Sequence, residues 1–412
     1  MSTTWNGGSW AGHGHFGVEA LEPRWNPATV RLTGDTLLIG GTQQDDTVSI
    51  VSNGDGGIRI TFDNTANGSA TNGTGTNGGG SNGGGSDDDG GIVTRDFTGV
   101  ERVVFLGRGG DDTFNFDLNG PLESDLSLNL SLGEGNDRSK LDLDRAIAAQ
   151  VRVAVDGGAG NDDVDVNLGA ITADSNVSVR AQLRAGNDDL SIDQTGVIAA
   201  DARLSVNVQG DMGRDDIRVD LDGNVVGDAV VRVNGGADND DVAVTLTGNV
   251  GANTEVDVRL AGNAGNDRLS TTATGHVRGD LDVRADGGAG NDRIDITTEG
   301  DVVRDAQLTV RTFGGGGNDD LSAKVRGDVD GDLVLLVAGG DGRDTLTGEV
   351  DLIDQSRGEV RARVLGGRGD DNLTLDVFDP ADFVTLGVAV LDGGAGRNVG
   401  SATSNVRVRN VQ

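Results

Sequence analysis

From Val30 onward the chain alternates apolar and polar residues singly in short runs, as in Asp46-Thr-Val-Ser-Ile-Val51 and Ile58-Arg-Ile-Thr-Phe62. A period of two marks strands with one buried face. Gly-rich turns separate the runs. When the turns are aligned on their closing acidic residue, they fall at Asp111, Asp137, Asp162, Asp188, Asp215, Asp240, Asp267, Asp292, Asp319, Asp344, Asp371 and finally Asn398, spaced 25 to 27 residues apart. A second signature, Gly-x-Val/Ile-x-x-Asp/Asn, follows each turn, for example at Gly169 to Asp174, Gly223 to Asp228, Gly248 to Asn253 and Gly327 to Asp332. Two punctuation points per period predict two strands per period, with Val242, Val244 and Leu246 facing inward on one and Val256, Val258 and Leu260 on the other. From Asp228 to Asp240 there are 12 residues and from Asn253 to Asp267 there are 14. A difference of two leaves every core side chain on its own face, which favours strands over helices.

One such unit cannot bury its own apolar face, but a stack of them can. The expected fold is all-β: a parallel β-solenoid (β-helix) of about twelve rungs, with a core roughly 55 Å long at about 4.8 Å per rung. Antiparallel hairpins are the structural alternative. The organisation reads as a flexible leader over 1–29, an N-terminal β cap over 30–117, solenoid repeats over 118–375, and a C-terminal rung and cap over 376–412 ending in Val406-Arg-Val-Arg-Asn-Val411. Within the cap, the Asn/Gly/Ser/Thr tract 64–91 is expected to be a disordered insertion, because it lacks the apolar surface that offsets ordering entropy.

Composition narrows the function. Among 412 residues, 67 Asp and Glu face 33 Lys and Arg, a formal net charge of -34, which argues against a nucleic-acid partner. There is no Cys and no Tyr, and Trp5, Trp10 and Trp25 all precede the repeats, so thiolate metal sites are excluded and aromatic-lined pockets are not expected. Any metal would be bound by oxygen. No apolar run is long enough for a membrane span, and neither a basic n-region nor an apolar h-region opens the chain. Leu21-Glu22-Pro23-Arg24 resembles a Leu-Glu-x-Arg motif that precedes repeat-rich surface and secreted proteins of certain bacteria, which implies export to a secreted or cell-surface location.

Five turns carry Gly-Gly-x-Gly-x-Asp in full: Gly157, Gly158, Gly160 and Asp162; Gly287, Gly288, Gly290 and Asp292; Gly314, Gly315, Gly317 and Asp319; Gly339, Gly340, Gly342 and Asp344; and Gly366, Gly367, Gly369 and Asp371. Glycines at positive φ can turn carbonyl oxygens inward, and the closing Asp adds a carboxylate. The motif resembles the RTX, or haemolysin-type, calcium-binding repeat, and that resemblance implies calcium shared between successive rungs, with these residues as its ligands. Asp111, Asp137, Asp188, Asp215, Asp240 and Asp267 close degraded or divergent turns and are expected to bind more weakly. Such repeats usually carry a glycine turn on both edges with about eighteen residues per coil, whereas here the turn comes once per period and the other corner looks structural. Arg214, Arg343 and Arg397 beside the acidic position, and Arg268 and Arg293 just after it, offer a second way to neutralise an Asp column without metal.

No catalytic residues emerge. His276 is the only histidine among the repeats, and no Ser, Cys or His constellation for nucleophilic work can be assembled. The reading is a calcium-binding structural or adhesive rod, secreted or at the cell surface, with cell-surface or matrix components as partners, and not an enzyme. The alternatives are a polysaccharide-active, lyase-like β-helix and a metal-free scaffold.

Overall fold

The computed structural model of the chain describes residues 29–63, 93–353, 356–379, 385–403 and 405–412. The Leu21 to Arg24 motif, the three Trp and the tract 64–91 lie outside the described residues. Every regular element is a strand, arranged in two sheets of fifteen strands each, a parallel β-solenoid of about 11 turns. Strands 25 to 27 residues apart pair in parallel and in register, as Val256↔Leu281, Val258↔Val283 and Leu260↔Ala285 do in one sheet. Among the described residues, antiparallel pairing occurs only at the N-terminal end. There Thr29–Thr33 runs antiparallel to Thr36–Gly40, and Ile58–Asp63 lies antiparallel between Thr47–Ser52 and Val93–Phe97.

Each rung has a longer strand, usually ten residues, and a shorter one of six or seven, as in Glu255–Ala264 and Arg268–Thr274. Side chains on alternate positions pack into one continuous aliphatic core, including Val242, Val244, Leu246, Val256, Val258 and Leu260, all buried as their parity requires. Phe105, Phe114 and Phe116 fill its N-terminal end. A third apolar column, formed by single parallel bridges, runs along the corner opposite the Gly-rich turn: Leu122, Ile147, Ile171, Ile198, Val225, Val250, Val277, Val302 and Val329.

That corner also absorbs the two-residue difference between rungs. From Val250 the chain takes five residues to reach Glu255, whereas from Val277 it takes three to reach Asp280. In the longer version a residue in the left-handed region makes the turn: Asp174 (φ 62°), Asp201 (φ 61°), Asn253 (φ 59°) and Asp305 (φ 69°). Asp and Asn tolerate this conformation better than other non-Gly residues. The ten-residue strands from Gln150–Ala159 to Glu359–Arg368 therefore keep one length and one register in long and short rungs alike.

Candidate functional site: a buried aspartate column

The solenoid superimposes the Gly-rich turns along one edge. Their closing residues form a single file, Asp46, Asp112, Asp137, Asp162, Asp188, Asp215, Asp240, Asp267, Asp292, Asp319, Asp344, Asp371 and Asn398. Adjacent members are joined because the backbone N–H of each donates to Oδ1 of the next, at 2.7–3.1 Å. From Asp112 to Asp371 these carboxyls are only 1 to 3% exposed. Asp137, Asp188, Asp215, Asp240 and Asp267, expected to be weaker, sit in the file on the same terms as Asp162, Asp292, Asp319, Asp344 and Asp371.

One position is corrected. Asp111 is not in the buried file; its neighbour Asp112 is. Asp111 belongs to a second, exposed ladder one residue earlier, in which Asn136, Asn161 and Asn187 each accept the next rung's N–H through Oδ1. Two adjacent acidic residues are equivalent candidates in a sequence alignment, and only stacking decides which one turns inward. Asp46 was missed because tract 64–91 separates it from the next turn, although Gly40-Gly41 and the strand starting at Thr47 were visible signals.

The glycines have two roles. The second and third of each full motif hold positive φ, for example Gly158 at 108° and Gly160 at 128°. The first does not, and in the full motifs it lies directly against the closing carboxyl. A β-carbon on Gly157 would lie 2.6 Å from Asp162 Oδ2 and 2.6 Å from the carbonyl oxygen of Leu183 on the next rung. Degraded turns keep the same backbone: Arg108, Arg184, Asp211 and Asn263 take the second glycine's place at φ between 72° and 85°. Leu132 and Leu183 stand at the first position, fully buried.

Arginine does not neutralise the file. Arg214, Arg343 and Arg397 contribute backbone N–H groups to the exposed ladder. Arg293 pairs with Asp295 and Asp320 at 2.8 and 2.9 Å on an outer face. Among the described residues no ion pair includes a member of the file. Its Oδ2 atoms, from Asp112 through Asp371, are buried and accept no hydrogen bond. Burial, ahead of the neighbouring carboxylates, lifts Asp112, Asp162, Asp215 and Asp240 to about 7 and Asp188, Asp267, Asp319 and Asp344 to about 6.

Calcium takes about six to eight oxygens at roughly 2.3–2.6 Å. As folded, each rung has Oδ1 committed to a neighbour's N–H and leaves one free carboxylate oxygen beside a carbonyl, packed against glycine. No group of three or more His, Cys, Asp or Glu side chains converges as metal ligands among the described residues.

The parallel solenoid with its period of about 26 residues is compatible with RTX-type repeats. No protein-family model matches the chain, and neither a curated protein nor a solved structure matches it. No helix among the described residues is long and apolar enough to cross a membrane.

Proposed function

We propose that the chain is a non-catalytic structural rod of the secreted or cell-surface kind, spacing or linking other components, with an Asp column that stands without metal. The supporting observation is the pair of fifteen-stranded sheets around one aliphatic core, in which the solenoid strands pair in parallel and in register with one shift beside Val360. A regular stack transmits length and stiffness. Catalytic clefts, by contrast, depend on local irregularity that brings an acid and a base together. Calcium loading is the second reading, and the free Oδ2 atoms are what favour it.

Small-angle scattering tests the rod and should give an elongated particle; a compact globular profile would refute it. Circular dichroism and melting curves in EGTA should match those in millimolar calcium. A large gain of β signal and melting temperature with calcium but not magnesium would move the column to the calcium reading. Incubation with uronate polymers should release no unsaturated products, and turnover abolished by a single Arg substitution would replace the scaffold with a lyase.

A further inference from the structure

We propose that the outer face of the sheet of longer strands binds a second copy of this chain, face to face and with the solenoid axis reversed. The basic half of each copy then covers the acidic half of the other. This goes beyond the rod reading and rests only on the face itself.

Charge changes sign along this face. Five neighbouring strands of the sheet, Arg102–Gly109, Leu126–Glu134, Gln150–Ala159, Asn176–Ala185 and Arg203–Met212, carry six Arg and three acidic residues, within a chain of net charge -34. The next three, Asp228–Ala237, Glu255–Ala264 and Asp280–Ala289, carry six acidic residues and three Arg. Arg102, Arg152, Arg180 and Arg203 are exposed and form no ion pair among the described residues, and neither do Asp228, Glu255 and Asp280. Arg152 and Asp280 lie five rungs apart, about 24 Å, too far to meet within one copy.

A half-turn about an axis along the strands, passing between Arg203–Met212 and Asp228–Ala237, brings the two halves together. Register then sets Arg152 opposite Asp282 of the second copy, Arg203 opposite its Asp228, and Val104 opposite its Leu336. Shape follows charge. Phe313, whose ring carries the Arg284 guanidinium at 4.2 Å, falls opposite Ser131, and Arg284 falls opposite Ala154. Ser131 and Ala154 line a shallow groove of about 380 Å³, edged by Leu106, Asn129 and Gln182, which their small side chains leave open to the stacked pair. Like charges meet twice, Arg180 with Arg259 and Asp156 with Asp286, but Arg259, Asp156 and Asp286 are already held by Asp257, Arg184 and Arg284 at 2.8–2.9 Å. From the strand of Val104 to that of Leu336 the face measures about 43 Å by about 20 Å, which matches the roughly 800 Å² that each partner of a standard interface buries.

Sedimentation of the full chain in EGTA and about 0.1 M NaCl, where a screening length of about 10 Å quiets repulsion between whole chains, should show a concentration-dependent dimer. Arg152→Glu/Arg203→Glu and Asp228→Arg/Asp282→Arg should each raise the dissociation constant at least about tenfold, because like charges then face each other. Mixed in equal amounts, the two variants should restore the dimer, since each reversed half meets an opposite one on the other chain. Melting curves report whether the variants fold; if either reversal does not, Arg152→Gln and Phe313→Ala, which should also weaken the dimer, take its place. A monomer up to millimolar concentration, a dimer untouched by the substitutions, or a mixture that stays monomeric would overturn the proposal. So would a chain that stays monomeric and instead binds a polyuronate through Arg152 and Arg203. Scattering from the monomeric variants judges the rod separately.

Discussion

Two adjacent glycines in one turn should respond to the same substitution in opposite ways. Gly317 has φ 136°, and a β-carbon there would run into the carbonyl oxygen of Gly290 on the preceding rung. Holding an L-residue in that region costs about 1–3 kcal/mol, and forcing the overlap adds about 1–3 kcal/mol because the rung above is fixed by its own ladder bonds. Gly317→Ala should therefore lose roughly 2–6 kcal/mol. Gly316 has no positive φ, and a β-carbon meets nothing within 4 Å. Gly316→Ala should be neutral or stabilise by up to about 1 kcal/mol, since it removes freedom from the unfolded chain. The rung at Asp238 sets the boundary of the argument: it carries a side chain at the position equivalent to Gly317, but with φ moved to 79°, a conformation Asp tolerates better than Ala. Urea unfolding followed by circular dichroism measures both variants. Hydrogen exchange should also show lost protection around the turns at Gly290 and Gly317. Equal midpoints, within about 0.5 kcal/mol, would refute the stacked-turn explanation of the motif.

Leu335→Ala removes a buried core side chain and should cost about 2–5 kcal/mol, whereas Leu336→Ala on the outward face should cost under about 1 kcal/mol; equal losses in chemical denaturation would contradict the assigned strand parity. His276 donates its N–H to Asn249 Oδ1 at 2.9 Å and accepts from Asp301 N–H at 3.2 Å, both of which an asparagine can do, so His276→Asn should leave the melting temperature within a degree or two. Stability should fall as pH rises. The file binds protons more tightly folded than unfolded, so its contribution is complete below the ordinary Asp value near 4 and is lost as pH climbs through 6 to 7. A shift of about three units corresponds to about 4 kcal/mol for one carboxyl, and calorimetry from pH 4.5 to 8 should show the decline. A melting temperature that rises over this range would contradict it.

The sequence alone determined the period, the two strands per rung and the inward face of each strand. Alternation of apolar and polar residues is a local property, and Val256, Val258 and Leu260 or Val242, Val244 and Leu246 carry it without reference to the rest of the chain. The recurring turn also marked the edge along which acidic residues would line up. Only the tertiary structure decided which atoms meet there, because each hydrogen-bond partner is one rung away, usually 25 to 27 residues along the chain. It placed Asp112 inward and Asp111 outward, joined Asp46 to the file across tract 64–91, and put the two-residue difference into the corner near Asn253. It also set the first glycine of each full motif against the closing carboxyl, a contact that backbone freedom alone does not suggest. Stacking, rather than pattern, made the aspartates dry, and being dry is what sets their chemistry.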